Sequence, residues 1–221
     1  MSRYLDGTID SNRIIHMKRF LLVLLAIAVG HPVFAQLSAG AGYLKTHVSA
    51  ERGSGSGEGF YAGLSYRIPL TGTFSLLPGL YFTRTEETAG EFIWGDIVWD
   101  GGFSIEKALV VPLRLQWDID LASDIRTFLY AGPSFQYGLQ CSSPSGLSNV
   151  PATDLYDEDN GFAHKRWNVL AGAGGGLSFP SKSTQRFFIM AGCDYGFLNL
   201  FVHSYTKSNR FLWKAGIGIE F

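Results

Sequence analysis

The stretch RFLWKAGIGIEF, Arg210 to Phe221, alternates apolar and polar residues almost without a break. Successive side chains of a β-strand point to opposite faces, so Phe211, Trp213, Ala215, Ile217, Ile219 and Phe221 share one face. Arg210, Lys214 and Glu220 share the other. One such strand fits the half-buried wall of a soluble sandwich as well as a barrel wall in lipid. What constrains the fold is recurrence of the pattern. Seven more period-two segments precede it, roughly Leu37–Val48, Gly59–Leu70, Phe74–Glu86, Ile105–Ile119, Arg126–Gln140, Arg166–Phe179 and Arg186–Phe201. Ordinary strands run about 5–6 residues, whereas a tilted membrane strand needs about 9–11. Most of these segments meet the second figure.

The faces can be followed strand by strand. Leu109, Val111, Leu113, Leu115 and Trp117 oppose Arg114, Gln116 and Asp118. Leu129, Ala131, Pro133, Phe135, Tyr137 and Leu139 oppose Tyr130, Ser134 and Gln136. Trp167, Val169, Ala171, Ala173, Leu177 and Phe179 oppose Asn168 and the small ladder Gly172, Gly174, Gly176. Phe187, Ile189, Ala191, Cys193, Tyr195 and Phe197 oppose Arg186, Met190, Gly192 and Asp194. None of these apolar faces carries a charge, as expected if they meet hydrocarbon, where a cation at mid-bilayer costs roughly 2–4 kcal/mol. In the early strands Phe60, Leu64, Phe74, Leu80 and Phe82 take the outward parity and Arg67 the inward one. Lys45 also has outward parity and is expected above the hydrocarbon. Pro78, Pro112 and Pro133 lack an N–H, so bulges are expected there.

Connections alternate in length. Short ones fall at Thr71–Thr73, Asp120–Ile125 and Pro180–Gln185; long ones at Ser49–Glu58, Glu87–Ser104, Cys141–Lys165 and Val202–Asn209. An up-and-down barrel with short periplasmic turns and long outer loops has that rhythm. The expected fold is therefore all-β, an eight-stranded antiparallel up-and-down transmembrane β-barrel over residues 36–221. Fourteen per cent aromatics and 27 glycines suit such a wall. A secreted lipocalin-like barrel is the rival, but it inverts the faces and crowds Trp and Phe into the lumen.

Export is written near the start. Met17-Lys18-Arg19 forms a positive region, Phe20 to Val29 an apolar core, and Val33-Phe34-Ala35 a small-residue cleavage pattern before Gln36. Residues 17–35 read as a signal peptide and residues 1–16 as an upstream extension. The apolar run is short of the ~20 residues that span a bilayer. Of 18 basic and 19 acidic residues, four and two lie before Gln36, which leaves 14 and 17 and a net charge of -3. No basic patch remains, and nucleic acid is excluded as a partner. Outer-membrane lipid is the expected surround.

The inward charges Arg67, Arg114, Asp118, Asp194, Lys214 and Glu220, with Gln116, could line a pore or pair with one another. Eight strands enclose a bore that side chains just fill, so a structural polar network is expected. His47, His164 and His203, with Ser204 beside the last, could serve acyl chemistry, yet no G-x-S-x-G or comparable motif accompanies them. No catalytic, cofactor or metal site is expected. Asp154, Asp157, Glu158, Asp159 and Asn160 lack the EF-hand spacing and read as a solvated loop, flanked by Tyr156 and Phe162 as a contact surface. Cys141 and Cys193 lie on strands with another strand between them, about twice ~4.8 Å apart, too far for the ~4.4–6.8 Å of a disulfide.

ALVVPLRLQW from Ala108, LYAGPSFQYGL from Leu129, DYGFLNL from Asp194 and the closing AGIGIEF carry a resemblance over residues 36–221. The chain resembles the small outer-membrane β-barrels widespread in Bacteroidetes, which include the PorT-like proteins. That resemblance implies an outer-membrane barrel without catalytic residues and with outer loops for interaction, envelope stability or secretion. Phe221, with Ile219, Ile217 and Ala215 behind it, looks like the carboxy-terminal signal read by the barrel-insertion machinery. Partners among other envelope or secretion proteins follow from the same resemblance. An outer-membrane lipid-modifying enzyme on the same scaffold is the alternative.

Overall fold

The computed structural model describes residues 36–50, 53–89, 92–94, 97–99, 103–121, 124–143, 153–154, 156, 165–181, 185–198 and 208–221. The expected signal peptide and upstream extension lie outside these, as do His164, His203, Ser204, Phe162, Asp157, Glu158, Asp159 and Asn160.

Eight long strands form the wall: β1 Gln36–Ala50, β2 Gly53–Pro69, β3 Phe74–Ala89, β6 Phe103–Asp120, β7 Arg126–Ser143, β9 Trp167–Pro180, β10 Arg186–Gly196 and β11 Ser208–Glu220. Three short strands, β4 Phe92–Trp94, β5 Ile97–Trp99 and β8 Thr153–Asp154, decorate the long connections. Each long strand pairs antiparallel with its sequence neighbour among the eight, and β11 pairs with β1, so the sheet closes and has no edge. The last amide, of Phe221, donates to Leu37 O at 2.9 Å, so the chain ends beside its first strand.

Burial alternates as the sequence pattern requires, with the apolar set on the outside. Trp213, Phe135 and Leu113 are 57%, 46% and 38% exposed, while Arg114 is 7% exposed. A soluble sandwich or lipocalin would reverse those values. The lipid-side rings pair across strands, Phe74 with Trp117 and Phe60 with Phe82 at 6.1 and 6.3 Å.

Several boundaries differ from the sequence expectation. The Gly-Ser run 49–58 is not a long loop: β1 reaches Ala50 and β2 begins at Gly53, paired through Val48↔Gly55 and Thr46↔Gly57. Beyond the hydrocarbon the outward face meets water, so main-chain pairing continues there without an apolar signal. The inward Gly57 is needed because a Cβ would strike Glu87 Cγ and Thr46 Oγ1. Likewise β3 and β7 run past their expected ends to Ala89 and Ser143, while β10 stops at Gly196 rather than Phe201 because Phe197 and Leu198 are both exposed and alternation is lost.

The prolines do not shift the register. Pairing lapses beside Pro78, Pro112 and Pro133 and resumes in the same register. A missing donor removes a bond without adding a residue. The one register shift between β6 and β7 lies at Lys107/Ala108, where Leu139 is the extra residue opposite. Past it the parity of β7 flips, which turns Cys141 into the interior.

Candidate functional site

The interior is the candidate site, because there the fold concentrates charge. Three tiers of side chains stack along the bore. At the periplasmic end Arg67 of β2 pairs with Asp118 of β6 and reaches Glu220 of β11 at 3.2 Å. It also donates to Ser75 Oγ at 3.0 Å and Gln36 Oε1 at 3.4 Å. Gln116 Nε2 donates to Asp118 Oδ1 at 2.8 Å. Four strands thus converge on one guanidinium, whose fork can address several oxygens at once.

The middle tier is built by Asp194 of β10. Lys214 of β11 pairs with one of its oxygens and Arg114 of β6 lies 3.6 Å from the other. Arg114 also sits 4.6 Å above the ring of Tyr130. The carboxylate fits because Gly172 opposes Asp194 in register, where a Cβ would collide with Oδ1. Tyr130 lies against Gly174 and Gly192, and Tyr61 against Gly42 and Gly216, in the same way. The small ladder on β9 is the seat for Tyr130 and Phe128 of the neighbouring β7.

All seven expected interior residues therefore fall in these two tiers. A third tier lies toward the long connections, and of its residues the sequence pattern places only Arg210, on the charged face of the last strand. Arg210 of β11 is 2% exposed and pairs with Glu106 of β6 and, at 2.9 Å, with Glu87 of β3. Gln136 Nε2 and the Tyr156 hydroxyl both donate to Glu106 Oε1, at 3.3 and 2.6 Å. Tyr156 comes from the longest outer connection. It is buried rather than a contact surface, with Arg166 4.8 Å over its ring and Gly138 directly beneath it. Burial, and then the negative Glu106, hold its hydroxyl far above the ordinary tyrosine range. Arg210 and Glu106 carry the same inward parity as Arg114, Lys214 and Glu220; extending that parity past the apolar zone finds them. Tyr156 has no periodic signal.

Little space remains between the tiers. Two cavities of about 30 and 60 Å³ flank the middle tier, and Arg114 borders both. At ~10–15 Å³ per water, each holds a few waters and no column of ions. Cys141 and Cys193 are not joined by a disulfide, and one faces the bore while the other faces the lipid. No group of three or more potential metal ligands occurs among the described residues, and His47 is exposed on the outward face of β1.

A family model described as outer membrane protein beta-barrel domain matches residues 33–202. Among solved structures, Neisserial surface protein A is similar at 15% identity, covering 84% of this chain and 97% of that one with a TM-score of 0.50. The outer membrane protein OprG of Pseudomonas aeruginosa is 12% identical over 85% of this chain and 95% of that one, TM-score 0.47. Ail, the attachment invasion locus protein of Yersinia pestis, is 17% identical over 85% and 99%, TM-score 0.44. No curated protein sequence matches the chain.

Proposed function

This chain belongs to the family of outer-membrane β-barrel domains, and on that premise we propose that it is a closed, non-enzymatic barrel whose work is done by its outer loops. The three interior tiers are structural: they fasten the strands to one another across the bore. The loops serve interaction with other envelope or secretion proteins, as in the PorT-like group. Residues 17–35 direct export and are cleaved, and Phe221 is the residue read by the insertion machinery.

The observation that carries this reading is the filled bore. Ion pairs cross it at three levels, with room for only a few waters between. A barrel closed in this way offers the cell no lumen, which leaves the loops and the lipid-facing wall. Three measurements test it together. Purified barrel in planar bilayers is expected to give no sustained conductance. Deletion of the gene is expected to leave the lipid profile of the envelope unchanged, while shortening the outer loops in an otherwise folded barrel reproduces the deletion phenotype. A steady open channel, or a lipid change that His203→Ala also produces, overturns the proposal.

A further inference from the structure

The outward charges of the strands are confined to one end of the barrel. Read from the periplasmic rim, β6 presents Trp117, Leu115, Leu113, Val111 and Leu109 before its first outward charge, Lys107. On β3 the series Phe74, Leu76, Pro78, Leu80, Phe82 leads to Arg84. Each series spans ten residue steps, Trp117 to Lys107 and Phe74 to Arg84. At ~3.4 Å rise and ~40° tilt that is about 26 Å along the membrane normal, against an apolar band ~25 Å tall. Arg84 and Lys107 therefore stand at the outer edge of the hydrocarbon. At the inner edge the outward positions of the described strands are uncharged, for example Leu37, Ile68, Phe179 and Phe187.

The two cations are cross-strand partners, Arg84↔Lys107 in the β3–β6 ladder. Like charges directly opposite on neighbouring strands destabilise a sheet unless something answers them. The protein answers only in part. Arg84 Nη2 meets Glu86 at 2.5 Å, with both side chains about a third or more exposed. Lys107 Nζ donates to Gln140 Oε1 at 3.0 Å, a neutral partner, and among the described residues no carboxylate pairs with it. Beside Arg84 in the same row lies Phe60, its ring tilted against that of Phe82 on the lipid side.

We propose that Arg84 and Lys107 form a site for the phosphate group of an anionic lipid headgroup in the outer leaflet. A phosphate between them removes the like-charge opposition. Arg84 keeps the rest of its guanidinium fork free for two phosphate oxygens, and Lys107, held in place by Gln140, adds a point charge. Phe82 lies immediately below, with Phe60 beside Arg84 packed toward it, where the acyl chains of such a lipid begin. Restriction of outward cations to one edge matches a ligand present in one leaflet only. The inference rests on the barrel being seated with its long loops outward, which protease access to the loops on intact cells checks separately.

The test uses the full barrel in nanodiscs of phosphatidylcholine doped with bis-phosphorylated lipid A or with its dephosphorylated form. Lipid retained by the barrel is read by native mass spectrometry. Phosphorylated lipid A is expected to be retained and the dephosphorylated form lost. The double variant Arg84→Gln/Lys107→Gln, shown to be folded by heat-modifiable gel mobility, is expected to bind roughly 30-fold more weakly, each cation near an anionic surface contributing about a factor of five. Lys45→Gln, one row further out, is expected to change binding little. Equal retention of the two lipids, or a folded double variant that binds as the parent does, overturns the proposal.

Discussion

Asp194→Asn is the sharpest perturbation of the interior, because it changes one charge and almost no volume. Asp194 is 2% exposed and is the carboxylate shared by Lys214 and by Arg114 at 3.6 Å. The amide leaves two cations facing each other without a counter-ion in their tier. Removing one partner of a buried pair costs about 3–5 kcal/mol. The ring of Tyr130 still faces Arg114 at 4.6 Å, and a desolvated cation–π contact worth ~2 kcal/mol limits the loss. A net destabilisation of about 3 kcal/mol is expected. It can be read as the shift in reversible urea unfolding from lipid vesicles, followed by tryptophan fluorescence and by gel mobility. Lys214→Met supplies the sign control. By itself it turns two cations against one carboxylate into one against one and is expected to cost less than ~1 kcal/mol. Combined with Asp194→Asn it removes a cation–cation repulsion, so the double variant is expected to be more stable than Asp194→Asn alone. If Asp194→Asn costs under ~1 kcal/mol, or if Lys214→Met makes it worse, the bore is wet enough to solvate the charges and the dry-tier argument fails.

Other consequences are open to measurement. Tyr156→Phe removes a donor to the buried Glu106 and is expected to cost ~1–3 kcal/mol and speed proteolysis of the loop that carries it. Because the Tyr156 hydroxyl is raised above its ordinary 10.0, its contribution is complete at neutral pH and is lost as pH climbs above ~10, where the unfolded chain ionises first. The alkaline decline in stability should be shallower in Tyr156→Phe, as urea midpoints across that range would reveal. Gly172→Ala places a methyl group on Asp194 Oδ1 and is expected to destabilise about as much as losing the pair, ~3 kcal/mol, by the same assay. Truncation of Phe221 is expected to slow assembly in cells and leave unfolded barrel in the periplasm, while refolding of the purified chain into vesicles changes little.

The wall was legible in the sequence because each strand repeats one binary choice. A cation at Leu113 or Phe135 would meet hydrocarbon, so the outward series stay apolar and the parity can be read residue by residue. The two inner tiers follow from that parity, since Arg67, Asp118, Arg114, Asp194, Lys214 and Glu220 interrupt the polar series with charge. Legibility fades where the hydrocarbon ends. Ser54, Gly55 and Ser56 pair with β1 although nothing apolar marks them, and Glu87 reads as loop although it faces Arg210. The bulge at Leu139 leaves no trace either, because an extra residue between Tyr137 and Cys141 alters which face Cys141 meets and not the composition of the segment. Tyr156 reaches the bore from an aperiodic loop, and only the three-dimensional approach of Gly138 and Glu106 reveals it.

Why a barrel would fill its bore with charge rather than with leucine has a physical answer that can be tested. Replacing a whole buried ion network by apolar groups of similar volume is often neutral or stabilising by ~1–4 kcal/mol, so stability alone does not select the middle tier. Its position suggests closure. Arg114, Tyr81, Pro112 and Met190 border both cavities and together separate them. The variant Arg114→Leu/Asp194→Leu/Lys214→Met keeps the bore plugged by apolar volume and is expected to fold with stability within ~2 kcal/mol of the parent and to conduct no ions. Arg114→Ala/Asp194→Asn/Lys214→Met removes the same charges and also the volume of Arg114 from the partition, widening the passage between the two cavities. It is expected to show brief conductance steps in planar bilayers that neither the parent nor the leucine-filled variant gives. Equal silence of all three would assign closure to the outer tier of Arg210, Glu87 and Glu106 instead, and the same pair of substitutions, apolar-filled against truncated, can then be made there.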